Sequence, residues 1–257
     1  MLDRLKRHPF AVEAHFRRSL VVAHAWRRQA LEPLLPAGLV LDTYGEHGFS
    51  AIALVQTERL RPAGLPTRLG RDFFLTGYRI FVRVAGKPSL RGLYILRSDA
   101  DRRSMVVLGN LFTHYRYRLA EIVAQERDGS LAIRVRTPAS DADLELVADL
   151  SGKPAPLPRG SPFADVDAAR RYAGPLPYTF TRDEATSSIL SVRATRQAWD
   201  PRAIGVDVRE ATFLRSPLFS GADPVLANAF YVEHVDYRWE RGELLPGRAR
   251  STRRPRT

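Results

Sequence analysis

The chain of 257 residues has no cysteine and only three lysines, Lys6, Lys87 and Lys153. Without cysteine there are no structural disulfides, no thiolate nucleophile and no cysteine-ligated metal. With so few lysines, amine chemistry has few places to act. Long apolar runs are missing too. The longest early one, Leu20–Ala25, contains His24 and is flanked by Arg17, Arg18, Arg27 and Arg28. A secretion signal needs roughly 7–15 clean apolar residues and a membrane helix ~20, so a cytoplasmic protein without membrane association is expected. GxSxG, P-loop and GxGxxG motifs are absent, which removes support for common hydrolase, nucleotidase and dinucleotide readings. His24, His47 and His234 are scattered, with no HxH or HExxH spacing, and Glu233 and Asp236 fall on opposite faces of a regular strand. Neither a metal site nor a cofactor is implied, because a metal needs three or four convergent ligands.

What is present is ordinary for a globular protein: 44% hydrophobic and 26% charged residues. The net charge of +12 sits mainly at the ends. Residues 1–30 carry seven basic and two acidic side chains, and residues 241–257 carry six arginines and one glutamate. Of the 40 basic residues 37 are arginine, more in keeping with a GC-rich genome than with selection for phosphate contacts. Nucleic-acid binding therefore ranks last among the readings. One domain over residues 1–247 is expected, followed by a basic, disordered tail over 248–257 with Arg253, Arg254 and Arg256.

Periodicity predicts mostly strands. Ser19–Trp26 reads as a short strand and Arg27–Leu35 as a helix ended by Pro36 and Gly38. Leu39–Tyr44 and Phe49–Gln56 read as a strand pair turning at 45–48. Arg61–Gly70 is a loop, and Phe73–Val84 a long strand with a phase break near Gly77. Leu93–Leu96 returns as its partner. Asp99–Phe112 reads as a helix capped by Asp99, with Met105, Leu108 and Phe112 on one face. Leu119–Thr137 forms two alternating runs around Asp128–Gly129, a favoured two-residue hairpin turn. Leu144–Leu150, Ser188–Thr195, Val206–Phe213 and Tyr231–Trp239 add strands, and Phe163–Tyr172 a short helix. Many short strands without a βαβ rhythm predict a mainly β (α+β) fold, an antiparallel barrel or sandwich with a few helical insertions.

Four stretches in order, Leu34–Asp42 (LLPAGLVLD), Phe73–Val84 (FFLTGYRIFVRV), Gly92–Asp99 (GLYILRSD) and Pro175–Tyr178 (PLPY), resemble the YqjF-like family. That family has no known function and lies in the acetoacetate-decarboxylase-like superfamily. The resemblance covers residues 15–240. It implies a closed or nearly closed antiparallel β-barrel with a central apolar cavity, and a homodimer. True decarboxylases of the superfamily use adjacent lysines, one forming a Schiff base while its neighbour depresses that amine's pKa. The similar segment here is Gly109–Ile122, GNLFTHYRYRLAEI. Aligned on Leu119–Ala120–Glu121, it puts Tyr117 and Arg118 at the lysine positions. No lysine occurs between Lys87 and Lys153. The superfamily's catalytic glutamate, expected near Thr76–Gly77, has no counterpart, since no acid lies between Asp72 and Asp99. Amine-mediated decarboxylation is thus disfavoured on two counts.

The segment His114–Arg118 is the first candidate site. As a strand it puts His114, Arg116 and Arg118 on one face and Tyr115 and Tyr117 on the other, with one face entering the cavity. His114 and Tyr117 are candidate acid–base groups, and Arg118 a candidate anion holder; the alternative is a barrel strand with solvated arginines and packed tyrosines. Tyr78, Arg79 and Arg83 form a second group. Arg79, in an apolar run, must either meet a carboxylate such as Glu121 or Asp99 or await an anionic ligand. Arg97 and Asp99 follow an apolar strand; Asp99 reads as a helix cap, or as a base if a neighbour tunes it. Candidate substrate-binding residues are therefore Arg79, Arg118, Tyr78, Arg97 and Asp99. Two functional classes stay open for a cavity that takes a small organic molecule. One is a lyase-type or proton-transfer enzyme working on a carbonyl or carboxylate compound without a Schiff base; the other is a non-catalytic ligand-binding module.

Overall fold

The computed structural model describes residues 2–153, 155–174, 176–219 and 221–245; the tail over 248–257 lies outside them. Six strands come first: β1 (Val12–Arg27), β2 (Leu39–Leu41), β3 (His47–Pro62), β4 (Arg71–Val84), β5 (Lys87–Ala100) and β6 (Tyr117–Leu119). A hairpin and a third strand follow as β7 (Glu121–Arg127), β8 (Ser130–Arg136) and β9 (Leu144–Asp149). The rest are β10 (Tyr178–Arg182), β11 (Ile189–Arg196), β12 (Arg202–Ala203), β13 (Val206–Ala211), β14 (Val225–Trp239) and β15 (Glu243–Leu245). Helices are few: α1 (Leu2–Leu5), α2 (Arg28–Leu31), α3 (Arg103–Phe112) and α4 (Val166–Ala173).

The larger sheet runs β14-β1-β3-β4-β5-β10-β11, and β11 pairs back onto β14 through Ala194–Trp239 and Arg196–Tyr237, which returns the path to its start. The second sheet, β13-β9-β8-β7, is four-stranded. The fold is mainly β, but the expected antiparallel order is corrected to a mixed one: β5 pairs parallel with both β10 and β6. At the Asp128–Gly129 hairpin both residues have positive φ, 51° and 72°, as a primed turn with the twist of its strands requires.

The strands of the large sheet have two different faces. Leu20, Val22, Ile52, Leu54, Tyr78, Ile80 and Val82 point to one side and pack against Leu131, Ile133, Val135, Leu144 and Leu146 of the small sheet. That side is a packed core. On the other side Phe73, Leu75, Arg79 and Phe81 of β4 stand beside Val55 and Ile95 around a cavity. Alternation along each strand produces the division.

Several local expectations change in place. β1 and β3 extend well beyond the predicted runs. The Arg27–Leu35 helix reduces to one turn of α2 and a 3-10 turn at Glu32–Leu34, since Pro33 interrupts it. Leu39–Leu41 pairs with Val84–Val82 rather than with the Phe49–Gln56 run. The Asp99–Phe112 helix begins only at Arg103, and its N-cap, Arg102, makes no side-chain cap bond; Asp99 belongs to β5 instead. The phase break is not in β4. It falls on β5, where Tyr78 faces Arg97 while Arg79 faces Ile95, leaving Leu96 as the extra residue. A bulge of this kind turns the following side chains to the other face.

Candidate active site in the barrel cavity

The cavity holds about 550 Å³, within the range of ~300–1,000 Å³ usual for small-molecule sites. Helix α3 covers part of it: Met105, Leu108 and Phe112 share the helix face that lines the wall. Among the described lining residues there is no Asp, Glu, Lys or Cys. Charge comes only from arginines. Arg61 is held by Glu13 at 3.0 Å, Arg170 pairs with Asp200, and Arg71 is exposed. Arg196 donates to the Tyr237 hydroxyl (3.2 Å) and the Leu176 carbonyl (3.1 Å) and stacks on Trp199.

Arg79 differs from all of these. Its Nε is buried without a hydrogen-bond partner, and no carboxylate among the described residues forms an ion pair with it. Neither Glu121 nor Asp99, the two partners expected for it, reaches it. Gly77, two positions back on the same face, makes room: a Cβ there would lie 3.2 Å from Arg79 Nε and Nη2. An unpaired guanidinium in an apolar wall is costly, and a ligand carboxylate would relieve the cost.

Three phenols accompany Arg79. Burial pushes the Tyr115 hydroxyl up to about 12, and it hydrogen-bonds Thr179 Oγ1 at 3.1 Å. Burial also raises Tyr117 and Tyr237, while the charge of Arg79 pulls all three downward. They are therefore neutral donors at neutral pH. Tyr117 is the most carefully seated. Asn110 grips its backbone from both sides, donating from Nδ2 to the carbonyl and accepting the N–H on Oδ1, each at 2.8 Å. Gly109 lies against its ring, where a Cβ would come within 2.3 Å. The Tyr117 hydroxyl has no partner among the described residues and is left to face the cavity.

Of the sequence candidates, Arg79 and Tyr117 line the cavity and the other five do not. Tyr78 points into the packed core and donates to the Ala142 carbonyl (3.3 Å). Arg97, turned by the Leu96 bulge, donates from Nε to both Asp99 oxygens at 2.9 Å and reaches Asp141 at 2.6 Å. Burial pushes the Asp99 carboxyl up to about 6 against the pull of Arg97; it is neither a helix cap nor open to the cavity. Arg118 is exposed and pairs with Asp141 at 2.9 Å. In the His114–Arg118 segment it is the tyrosine face that enters the cavity. His114 lies instead in a small recess of about 180 Å³ with Lys6, Arg116 and Glu184, its Nε2 3.6 Å from Asp183. Burial lowers its pKa despite that carboxylate.

Sequence reasoning missed Tyr115, Arg196, Tyr237 and His8 as wall residues. The alternation around Tyr117 carried a signal for Tyr115. For the others nothing local did, because β11, β14 and the N-terminal segment come together only in the folded chain. Among the described residues no group of three or more His, Cys, Asp or Glu is placed to hold a metal, and no helix is long and apolar enough to cross a membrane.

Comparison with known proteins gives the family and the fold. A profile of the family DUF2071, described as an uncharacterized conserved protein, matches residues 13–236. The chain belongs to that family. Its relatives include the uncharacterized protein YqjF of Bacillus subtilis (strain 168), 30% identical over 102 residues; the match spans 39% of this chain and 41% of the relative. Solved structures share the DUF2071 chain's fold at low identity. Acetoacetate decarboxylase from Legionella pneumophila superposes with a TM-score of 0.66 at 11% identity, covering 93% of this chain and 88% of the other. The enduracididine biosynthesis enzyme MppR complexed with pyruvate gives 0.64 at 10% identity, covering 94% and 92%. An acetoacetate decarboxylase-like enzyme from Sphingomonas wittichii RW1 gives 0.60 at 14% identity, covering 93% of each chain. At such identity the likeness shows the acetoacetate-decarboxylase-like fold and no more.

Proposed function

We propose that this DUF2071 protein binds a mainly apolar small molecule bearing a carboxylate next to a carbonyl, and acts on it without an amine intermediate. The supporting observation is Arg79, a half-buried arginine whose Nε is buried unpaired, with no carboxylate partner among the described residues and a wall free of acids. Arg79 takes the carboxylate in a two-pronged grip. Tyr117 donates to the carbonyl oxygen, where it stabilises charge that develops during reaction. The apolar wall takes the remaining chain. The 2-oxo acid class is suggested by the pyruvate complex of MppR, and the volume of this cavity favours a longer chain. With Tyr117 and Arg118 where the decarboxylases carry lysines, and no lysine in the described wall, proton transfer fits better than Schiff-base decarboxylation. That same lack of lysine and acid favours, as the second reading, a non-catalytic carrier for the same ligands.

The test is a thermal-shift and calorimetric series of straight-chain 2-oxo acids and plain carboxylates against amines of equal length. Affinity is expected to rise about fourfold per methylene, from ~0.8 kcal/mol per buried CH₂, until the cavity is full. Amines are expected not to bind. Equal binding of amines and acids overturns the reading. Binding of the acids without any chemical change in them selects the carrier.

A further inference from the structure

His8 stands just before Pro9 on the segment between α1 and β1, where no motif draws attention to it. The fold makes it a wall residue of the cavity. Its backbone is held from two sides: the His8 N–H donates to the Phe112 carbonyl, and its own carbonyl accepts from Gly242 N–H, each at 2.9 Å. The clamp keeps φ at +54°, a left-handed conformation uphill for a residue with a Cβ, and such strain gathers at functional sites. The residue is 6% exposed, and Nδ1 is buried without a hydrogen-bond partner.

Its neighbours give this placement a chemical meaning. The His8 ring lies 6.5 Å from that of Tyr115, which is 6.2 Å from that of Tyr117. Arg79's charge acts on both phenols. One histidine, two neutral phenols and one unpaired guanidinium thus share one cavity. Among its described lining residues, His8 is the one side chain that can accept a proton at neutral pH. Burial lowers the imidazole pKa to about 4 against the pull of the Phe10 and Glu240 backbone, so the ring is uncharged at neutral pH and free to accept a proton.

We propose that His8 is the acid–base residue of the cavity, moving a proton to and from the carbon beside the carbonyl of a 2-oxo carboxylate. The assignment rests on the ligand class and the Arg79 contact proposed above. An imidazole nitrogen takes a proton from C3. The C–H electron pair becomes the C2=C3 bond, and the carbonyl pair moves onto oxygen. The enolate oxygen accepts a hydrogen bond from Tyr117, and Arg79 holds the C1 carboxylate. The negative charge formed nearby offsets the imidazolium charge that burial disfavours. The imidazolium then returns the proton to C3, on the same or the opposite face. No oxidant, reductant or second substrate is consumed.

The experiment follows exchange of the C3 protons of 2-oxooctanoate in D₂O by NMR, with thermal shift by 2-oxooctanoate and by octanoate measured in parallel. The wild-type protein is expected to speed exchange well above buffer. His8→Gln and His8→Ala are expected to slow it by roughly 10²-fold or more while keeping the ligand-induced thermal shift. A merely structural role for His8 would not separate the two readouts in this way. Arg79→Met is expected to lose both. Wild-type binding with exchange at the buffer rate overturns the role of His8 and leaves the ligand reading standing; so does wild-type exchange in either folded His8 variant. Absence of any thermal shift by either acid overturns the ligand reading and this inference with it. Should neither variant fold, the His8 ring resonances of the wild type are followed instead. They are expected to move on addition of 2-oxooctanoate, and unmoved resonances beside a clear thermal shift overturn the assignment.

Discussion

Arg79 and Arg97 sit on adjacent strands of one sheet, one pairing step apart, and face opposite ways. Arg97 meets two carboxylates, Asp99 and Asp141. Arg79 meets none among the described residues, and its Nε is buried unpaired. The Arg97 face packs against a second sheet, and any ion placed there must be neutralised within the protein. The Arg79 face borders a space where a ligand can supply the missing charge. The contrast sets a buried arginine neutralised within the protein against one that has no carboxylate partner among the described residues. It predicts that removing each will injure a different property.

The largest expected effect is on stability. Arg97→Met strands the buried Asp99 and should cost about 3–5 kcal/mol, read as a fall in the urea midpoint. A loss below ~1 kcal/mol would erase the contrast. Acid should act next. His24, between Val22 and Trp26 on the core face, is pushed by burial to about 4 from an ordinary 6.5. The unfolded chain therefore binds the extra proton between pH 6.5 and 4, and stability falls as the pH drops through that window. At ~1.4 kcal/mol per pH unit, the full window is worth roughly 3 kcal/mol for this residue. Urea unfolding at pH 7.5 and 4.5 measures the loss, and His24→Leu should make the dependence shallower. A pH dependence unchanged in that variant would remove His24 as its source.

Arg79→Met should do the reverse of Arg97→Met. Stability stays within ~1 kcal/mol or rises, because a half-buried charge without a carboxylate partner is gone, while carboxylate affinity by calorimetry falls roughly 100-fold. A variant as unstable as Arg97→Met, with affinity intact, would break the comparison. The smallest expected effect is that of Gly77→Ala. Its new Cβ, 3.2 Å from the guanidinium, should push Arg79 aside and weaken acid binding about tenfold, without an equal loss of stability. Unchanged affinity would show that the guanidinium reaches its ligand from another position.

Much of the framework was legible because it depends on neighbours a few residues apart. The Asp128–Gly129 turn, the long alternating run of β4 and the shared face of Met105, Leu108 and Phe112 on α3 each rest on local backbone preference and side-chain period. The alternation of Tyr115 and Tyr117 against His114 and Arg118 was readable too, although not which face turns inward. Asp99 was misread as a cap because a strand of 14 residues, β5, runs through the point where the helical pattern begins. Propensity there yields to pairing with β4 on one side and β6 on the other.

Composition and local pattern alone exclude thiol chemistry, since the sequence has no cysteine, and set the β-rich class and the residue types available to a cavity. Tertiary structure decided which of those residues meet. The Leu96 bulge sends Arg97 to the carboxylates of the core and leaves Arg79 alone on the cavity side. The N-terminal segment brings His8 into the same cavity as Tyr115. Both outcomes depend on pairings between distant strands, and a one-residue slip in such a pairing moves a charge from one face of the sheet to the other.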